Sequence, residues 1–190
     1  EYFRSNYDIR SMLKVLFNSD AFKNARFTKV KSPTETVVGT MRLVGDFKTP
    51  RPGMNAMALN IRYMGQDLMN PPTVEGWHTG REGINSGAFM NRVNFVSERV
   101  SNPDLPGVKE IVDLVAASNG TGMKPEQMVD ACLDQMGPLP VSPKTREELV
   151  EQATGEGDLS WATDEERLGS SQRVAKMLAL IVGTRESQFG

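Results

Sequence analysis

The chain has 190 residues, enough for one domain or one with a small appendage, and at this length roughly 70% of the unfolded surface can be buried without help from a disulfide or metal. A hydrophobic fraction of 38% is ordinary for a globular protein, and a net charge of −2 argues against a nucleic-acid partner. The single cysteine, Cys132, rules out an internal disulfide and any cysteine-rich zinc site, and no apolar run reaches the roughly 18 residues of a membrane helix.

The chain starts at Glu1 with neither an initiator methionine nor a signal peptide, and reads as a mature chain or an excised fragment. The periodicity predicts a first helix over residues 8–18, with Ile9, Met12, Leu13, Leu16 and Phe17 in one apolar stripe. Ser19 and Asp20 can cap a short further turn. Residues 23–31 interleave Lys23, Arg26, Lys29 and Lys31 with Phe27 and Val30. Nucleic-acid strips have such a composition, but four charges in a net-negative chain fit better with a solvated connector that tucks its two apolar side chains inward.

Ser32-Pro33-Thr34-Glu35 is a helix start: Ser32 caps, Pro33 loses no hydrogen bond at the first helical position, and Glu35 can reach back to the cap. Val37, Val38, Met41 and Val44 form the inward side, and Gly45 can close the helix in the left-handed conformation. After a loop over 46–53, Met54, Met57, Ala58, Ile61 and Met64 make the next stripe, read as core rather than as an adaptable binding face. Asn70-Pro71-Pro72 is expected to end that helix, because Pro71 disfavours helical geometry at Asn70.

A Pro- and Gly-punctuated central loop follows, carrying Trp77 and the only histidine, His78. Gly76 and Gly80 allow turns on either side, and Trp77 is expected to plug the loop onto the helices with its indole N–H on a carbonyl. A helix over about 86–99 comes next, capped by Asn85 or Ser86, with Phe89, Met90, Val93 and Val96 as its apolar face. Residues 101–107, with two prolines and a glycine, are the best internal boundary. Beyond it, Val108, Ile111, Val112 and Val115 mark one helix, and residues 125–136 another, with Gly137 as its stop. Ser142-Pro143 opens a third, to about Gln152. Asn119-Gly120-Thr121 matches a glycosylation sequon but reads better as a turn. A loop around Trp161 leads to the capping box Thr163-Asp164-Glu165-Glu166 and a last helix striped by Leu168, Val174, Met177, Leu178 and Ile181. The class is therefore all-α, an irregular multi-helix domain with a long central loop and little or no β. Residues 1–100 form a helical core and 101–190 a helical C-terminal subdomain packing on it, or the two together form one domain.

The central loop is also where a site would lie, with Trp77, His78, Arg81, Glu75 and Asp67 as candidate binding residues. Ser/His/Asp hydrolysis has only His78 to draw on and no Gly-x-Ser-x-Gly elbow. Zinc would need His78 with carboxylates such as Asp67, Glu75 or Glu82, and no second histidine supports it, so neither a metal nor a cofactor is assigned. No phosphate-binding Gly-Lys-Ser/Thr loop is present. Asp67, Glu75 and Glu82 are the carboxylates from which an acid–base pair for glycosidic chemistry could be drawn. Arg81 and Arg92 could hold an anionic group, although arginines flanking a loop are commonly structural.

Several blocks carry a family resemblance: residues 13–22, Lys29-Val30-Lys31-Ser32-Pro33, Met64-Gly65-Gln66, Asn70-Pro71-Pro72, Gly76-Trp77, Asn91-Arg92-Val93-Asn94-Phe95, and the tail over 178–189. In this order they resemble the bacterial family named "domain of unknown function 1800", with departures at Gly83, Arg185 and Ser187. The resemblance implies a helical fold, a place in the C-terminal portion of a longer protein, and export to the periplasm or cell surface. It implies no activity and no catalytic residues. The expected role is that of a non-catalytic binding or assembly module whose partner is a co-encoded exported protein or a surface polymer. The alternative is a piece of a hydrolase-like enzyme whose catalytic residues lie upstream.

Overall fold

The computed structural model describes residues 1–118 and 120–189, apart from the side chain of Arg81. Asp8 opens α1 (Ile9–Asn18) by accepting hydrogen bonds from the amides of Arg10 and Ser11, and Ser19 caps α2 (Asp20–Lys23). The predicted stripe of α1 exists, but no α1 residue is buried, and Ile9, Leu16 and Phe17 stay about half exposed. Of the two apolar residues in the connector, Val30 is buried and Phe27 half-buried.

The expected capping box forms at α3 (Pro33–Leu43): the Ser32 hydroxyl accepts from the Glu35 amide, and the Glu35 carboxylate accepts from the Ser32 amide at 2.7 Å. Lys29 pairs with the same carboxylate. The Lys29 hydrogen bond, seconded by the Ser32 amide, holds the Glu35 carboxyl down at about 2 against an ordinary 4.5. A depressed carboxylate adds stability that is complete above its unfolded value and is lost as pH falls from about 4.5 towards 2. Because Glu35 is half exposed, the effect is expected to stay below about 1 kcal/mol. Urea midpoints of the wild type and Glu35→Gln between pH 6 and 2 should converge as pH falls; parallel curves would contradict the assignment.

Two helices end in the same way. At α3, Gly45 takes φ +69°, and the Asp46 amide reaches back to the Met41 carbonyl at 3.1 Å. At α4 (Asn55–Tyr63), Gly65 takes φ +98°, and the Gln66 amide reaches the Ile61 carbonyl at 3.1 Å. Each is a left-handed glycine closing the orphan carbonyls of the last turn. This corrects the expected helix end at Asn70: the glycine terminates α4 well before Pro71 can act. The methionine stripe is also only partly core, since Ile61 and Met64 are buried while Met54 and Ala58 are exposed.

After the central loop, Asn85 caps α5 (Ser86–Val100), its side-chain oxygen accepting from the Ala88 amide at 2.8 Å. The buried side of α5 is Ala88, Arg92, Phe95 and Val100, not the predicted Phe89, Met90, Val93 and Val96. Met90 is exposed, and Val93 and Val96 are half-buried. The helix is apolar on more than one side, and the site on its inner side claims Arg92.

The remaining helices are α6 (Pro106–Ser118), α7 (Pro125–Gln135), α8 (Pro143–Thr154) and α9 (Asp164–Gly183). Thr163 forms the predicted box with Glu166. Leu168 is exposed, and the buried side of α9 begins at Ser170. Two short strands were not anticipated: β1 (Gly122–Met123) pairs antiparallel with β2 (Leu159–Ser160). They are two residues each, too short for alternation to register in sequence. Asn119 of the possible sequon lies outside the described residues, and Gly120 has the positive φ, +73°, of a turn.

One cluster of buried side chains joins Val44 and Val100 to the inner faces of α6–α9, Met128, Val174, Leu178 and Ile181 among them. A smaller cluster holds Val37, Met41, Ile61, Met64 and Phe95, and Val96 packs against both. A short 3-10 turn over residues 186–188 brings the tail back, so that Val30 and Phe189 form an isolated antiparallel bridge. Among the described residues the architecture is all-α apart from that two-stranded ladder.

Candidate functional site

The central loop is built outward from Gly65. The Asp67 carboxylate accepts from the Asn70 side-chain amide at 3.0 Å and lies 3.6 Å from the Arg62 guanidinium. The Gly76 amide donates to the Thr73 carbonyl and the Thr73 hydroxyl to the Gly76 carbonyl, each at 3.1 Å, so that Pro71 and Pro72 lead into a small closed turn. The indole N–H of half-buried Trp77 donates to the Asp67 carbonyl at 2.9 Å, the backbone-carbonyl bond expected for it. Residues 80–83 then form a 3-10 turn tight against the loop: a Cβ on Gly83 would stand 2.9 Å from the His78 carbonyl oxygen.

The facing wall is the extended run into α3. The Lys31 amide donates to the Gln188 carbonyl at 2.9 Å, and its ammonium to the Ser187 carbonyl at 2.9 Å. Gln66 ties the end of α4 to the start of α3: its side-chain oxygen accepts from the Thr34 amide at 3.0 Å and from the Thr34 hydroxyl at 2.8 Å. Arg92 enters from α5 with only 2% of its surface exposed, and one guanidinium N–H donates to the Lys31 carbonyl at 2.6 Å.

Between these walls lies a cavity of about 700 Å³, within the range of small-ligand sites. Val30, Trp77 and Phe189 supply its apolar surface, backed by the fully buried Met64, and Lys31, Gln66, Glu75, His78 and Arg92 are among its polar residues. Of the residues proposed from sequence, Trp77, His78 and Glu75 line it. Asp67 does not; it stands behind the loop and braces it through its backbone carbonyl and carboxylate. The Arg81 side chain lies outside the described residues. Sequence reasoning did not select Lys31 or Phe189 as site residues, and Met64 entered only as part of the methionine-rich face that would join the Trp77/His78 loop in a contact surface. The one available signal was that they fall inside the blocks carrying the family resemblance.

Burial pushes the Arg92 guanidinium below its ordinary value, and burial lowers Lys31 likewise, partly opposed by Glu35. Among the described residues, no ion pair reaches Arg92. Cys132 is remote, buried in the larger core, and burial pushes its thiol up to about 12, so it is not a ready thiolate nucleophile. Among the described residues, no three His, Cys, Asp or Glu side chains converge as metal ligands. The cavity brings His78 together with one carboxylate, Glu75, while Asp67 and Glu82 stand outside its lining. No described helix is long and apolar enough to cross a membrane.

A family model described as "Protein of unknown function (DUF1800)" matches residues 1–189 of the chain. No curated protein and no solved structure matches it.

Proposed function

The chain belongs to the DUF1800 family, a family of unknown function, and from that premise we propose that it is a non-catalytic binding module that takes its ligand in the cavity beside Trp77. The observation that carries this reading is convergence. Blocks far apart in sequence (Lys29 to Pro33, Met64 to Gln66, Gly76-Trp77, Arg92 and Phe189) meet around one cavity. All of them belong to blocks that carry the family resemblance, although two further such blocks, residues 13–22 and Asn70-Pro71-Pro72, lie outside the lining. An apolar wall with a few placed polar groups is the ordinary construction of a ligand site.

The reading places the module in an exported bacterial protein, in the periplasm or at the cell surface, with a surface polymer or a co-encoded exported protein as partner. Export rests on the resemblance alone. The enzyme alternative draws on His78 and Glu75 sharing the cavity; it needs further catalytic groups from outside this chain.

Cosedimentation tests the binding role. The chain and its Trp77→Ala variant are spun with insoluble cell-wall and capsular polysaccharide fractions and with the membrane-free periplasmic extract coupled to beads. The wild type is expected to be retained by at least one fraction and the variant at least tenfold less. Equal retention of both proteins, or none of the wild type, would sink the reading.

A further inference from the structure

We propose that the cavity holds an organic anion, its oxyanion head against Arg92 and its apolar body against Trp77 and Phe189. This rests on the binding reading above and names the chemistry of the ligand. Arg92 is a buried cation in the cavity wall. One of its nitrogens is satisfied by the Lys31 carbonyl, a neutral acceptor, and its Nε has no hydrogen-bond partner. No ion pair neutralises it among the described residues. A buried guanidinium is normally matched by a carboxylate or phosphate, because desolvating a cation without a counter-charge is costly. The protein supplies no such partner, and a ligand can.

The two lysines on the lining are engaged elsewhere. Lys31 gives Arg92 its backbone carbonyl, whereas its ammonium donates to the Ser187 carbonyl near Glu35, neither of which lines this cavity, so the ammonium is committed elsewhere. Lys29, also on the wall, is already paired with Glu35, so the uncommitted positive charge is concentrated on the Arg92 side. The single carboxylate on the lining, Glu75, belongs to the Trp77 loop on the other side. The arginine fork suits a planar carboxylate or a tetrahedral oxyanion. Phe189 and the Trp77 ring provide apolar contact for the rest of the molecule. A cavity of about 700 Å³ has room for both parts.

The test uses 3-phenylpropionate, its uncharged amide and inorganic sulfate, followed by proton–nitrogen correlation spectra of the intact chain. The chain has two tryptophans, Trp77 and Trp161. The Trp77 indole signal, assigned by its loss in Trp77→Phe, reports the cavity, and that of core-buried Trp161 reports the fold. Phenylpropionate is expected to shift the Trp77 signal saturably, with the amide at least tenfold weaker. Sulfate should compete with the acid and not with the amide. Arg92→Met should reduce the acid to the affinity of the amide while the Trp161 signal stays in place. If Arg92→Met fails to fold, Arg92→Gln takes over and should weaken the acid at least threefold and the amide not at all. Equal binding of acid and amide, or acid binding indifferent to sulfate, overturns the anion and leaves a merely apolar binding cavity. No shift from either probe also overturns it, and the binding reading is then judged on cosedimentation alone.

Discussion

Gly107→Ala is expected to cost about 3 kcal/mol of stability, the upper end of what overpacking does. Gly107 sits where the first turn of α6 crosses the end of α3. A Cβ there would stand 2.0 Å from the Leu43 carbonyl oxygen and 2.7 Å from the Val44 carbonyl carbon. Both are backbone atoms, so no rotamer change relieves the clash. The crossing is also tied by the Gly107 amide, which donates to the Val44 carbonyl at 2.9 Å. Moving α6 away would break that bond and open the contacts of Val44 and Val108, both fully buried. Gly39 supplies the opposite sign. It lies in the middle of α3, exposed, and a methyl added there would meet nothing within 4 Å. Gly39→Ala should therefore stabilise by about 0.5–1 kcal/mol, through helix propensity alone. Urea unfolding of both variants checks the pair. A Gly107→Ala loss below about 1 kcal/mol with an unchanged denaturant slope would mean that the two helices do not cross this closely.

What was legible in the sequence was local. Ser32-Pro33-Thr34-Glu35 and Thr163-Asp164-Glu165-Glu166 form the boxes their spacing specifies, because a capping box is made by residues three apart and needs nothing from the rest of the chain. Gly45 and Gly137 close helices in the expected left-handed conformation. The direction in which each apolar face points was less legible. Val38, Met90 and Leu168 fit helical stripes but are exposed, since a stripe wider than its groove leaves its margins in water, and the groove is set by neighbouring helices. Arg92 is the sharpest case: its charge predicts the surface, and burial on α5 follows from what it faces. The site divides along the same line. Trp77, His78 and Glu75 advertise themselves in one loop, whereas Lys31 and Phe189 reach the cavity only because the Val30–Phe189 bridge folds the tail back. That pairing spans most of the chain, and no local pattern announces it.

Met64 is where the fold and the cavity meet, which makes Met64→Ala the variant that separates them. The side chain has no exposed surface, belongs to the small cluster with Val37, Met41, Ile61 and Phe95, and also backs the cavity lining. Truncation removes three heavy atoms of packing and should cost about 2–4 kcal/mol, within the range for large-to-alanine changes in a core. The small cluster has few members to close the gap, which argues against the low end. Leu178→Ala, at a fully buried position on α9 in the other cluster, should cost a comparable amount. The two losses should differ in what accompanies them. Removing Met64 leaves a void directly behind the cavity lining, so the Trp77 indole signal should move. Leu178→Ala should leave that signal in place. Met64→Leu, nearly volume-conserving, should cost less than about 1.5 kcal/mol. Urea unfolding with the two indole signals as probes checks all three variants. A Met64→Ala loss below about 1 kcal/mol, or a Trp77 signal that responds equally to both truncations, would deny that this methionine is the shared wall of core and site.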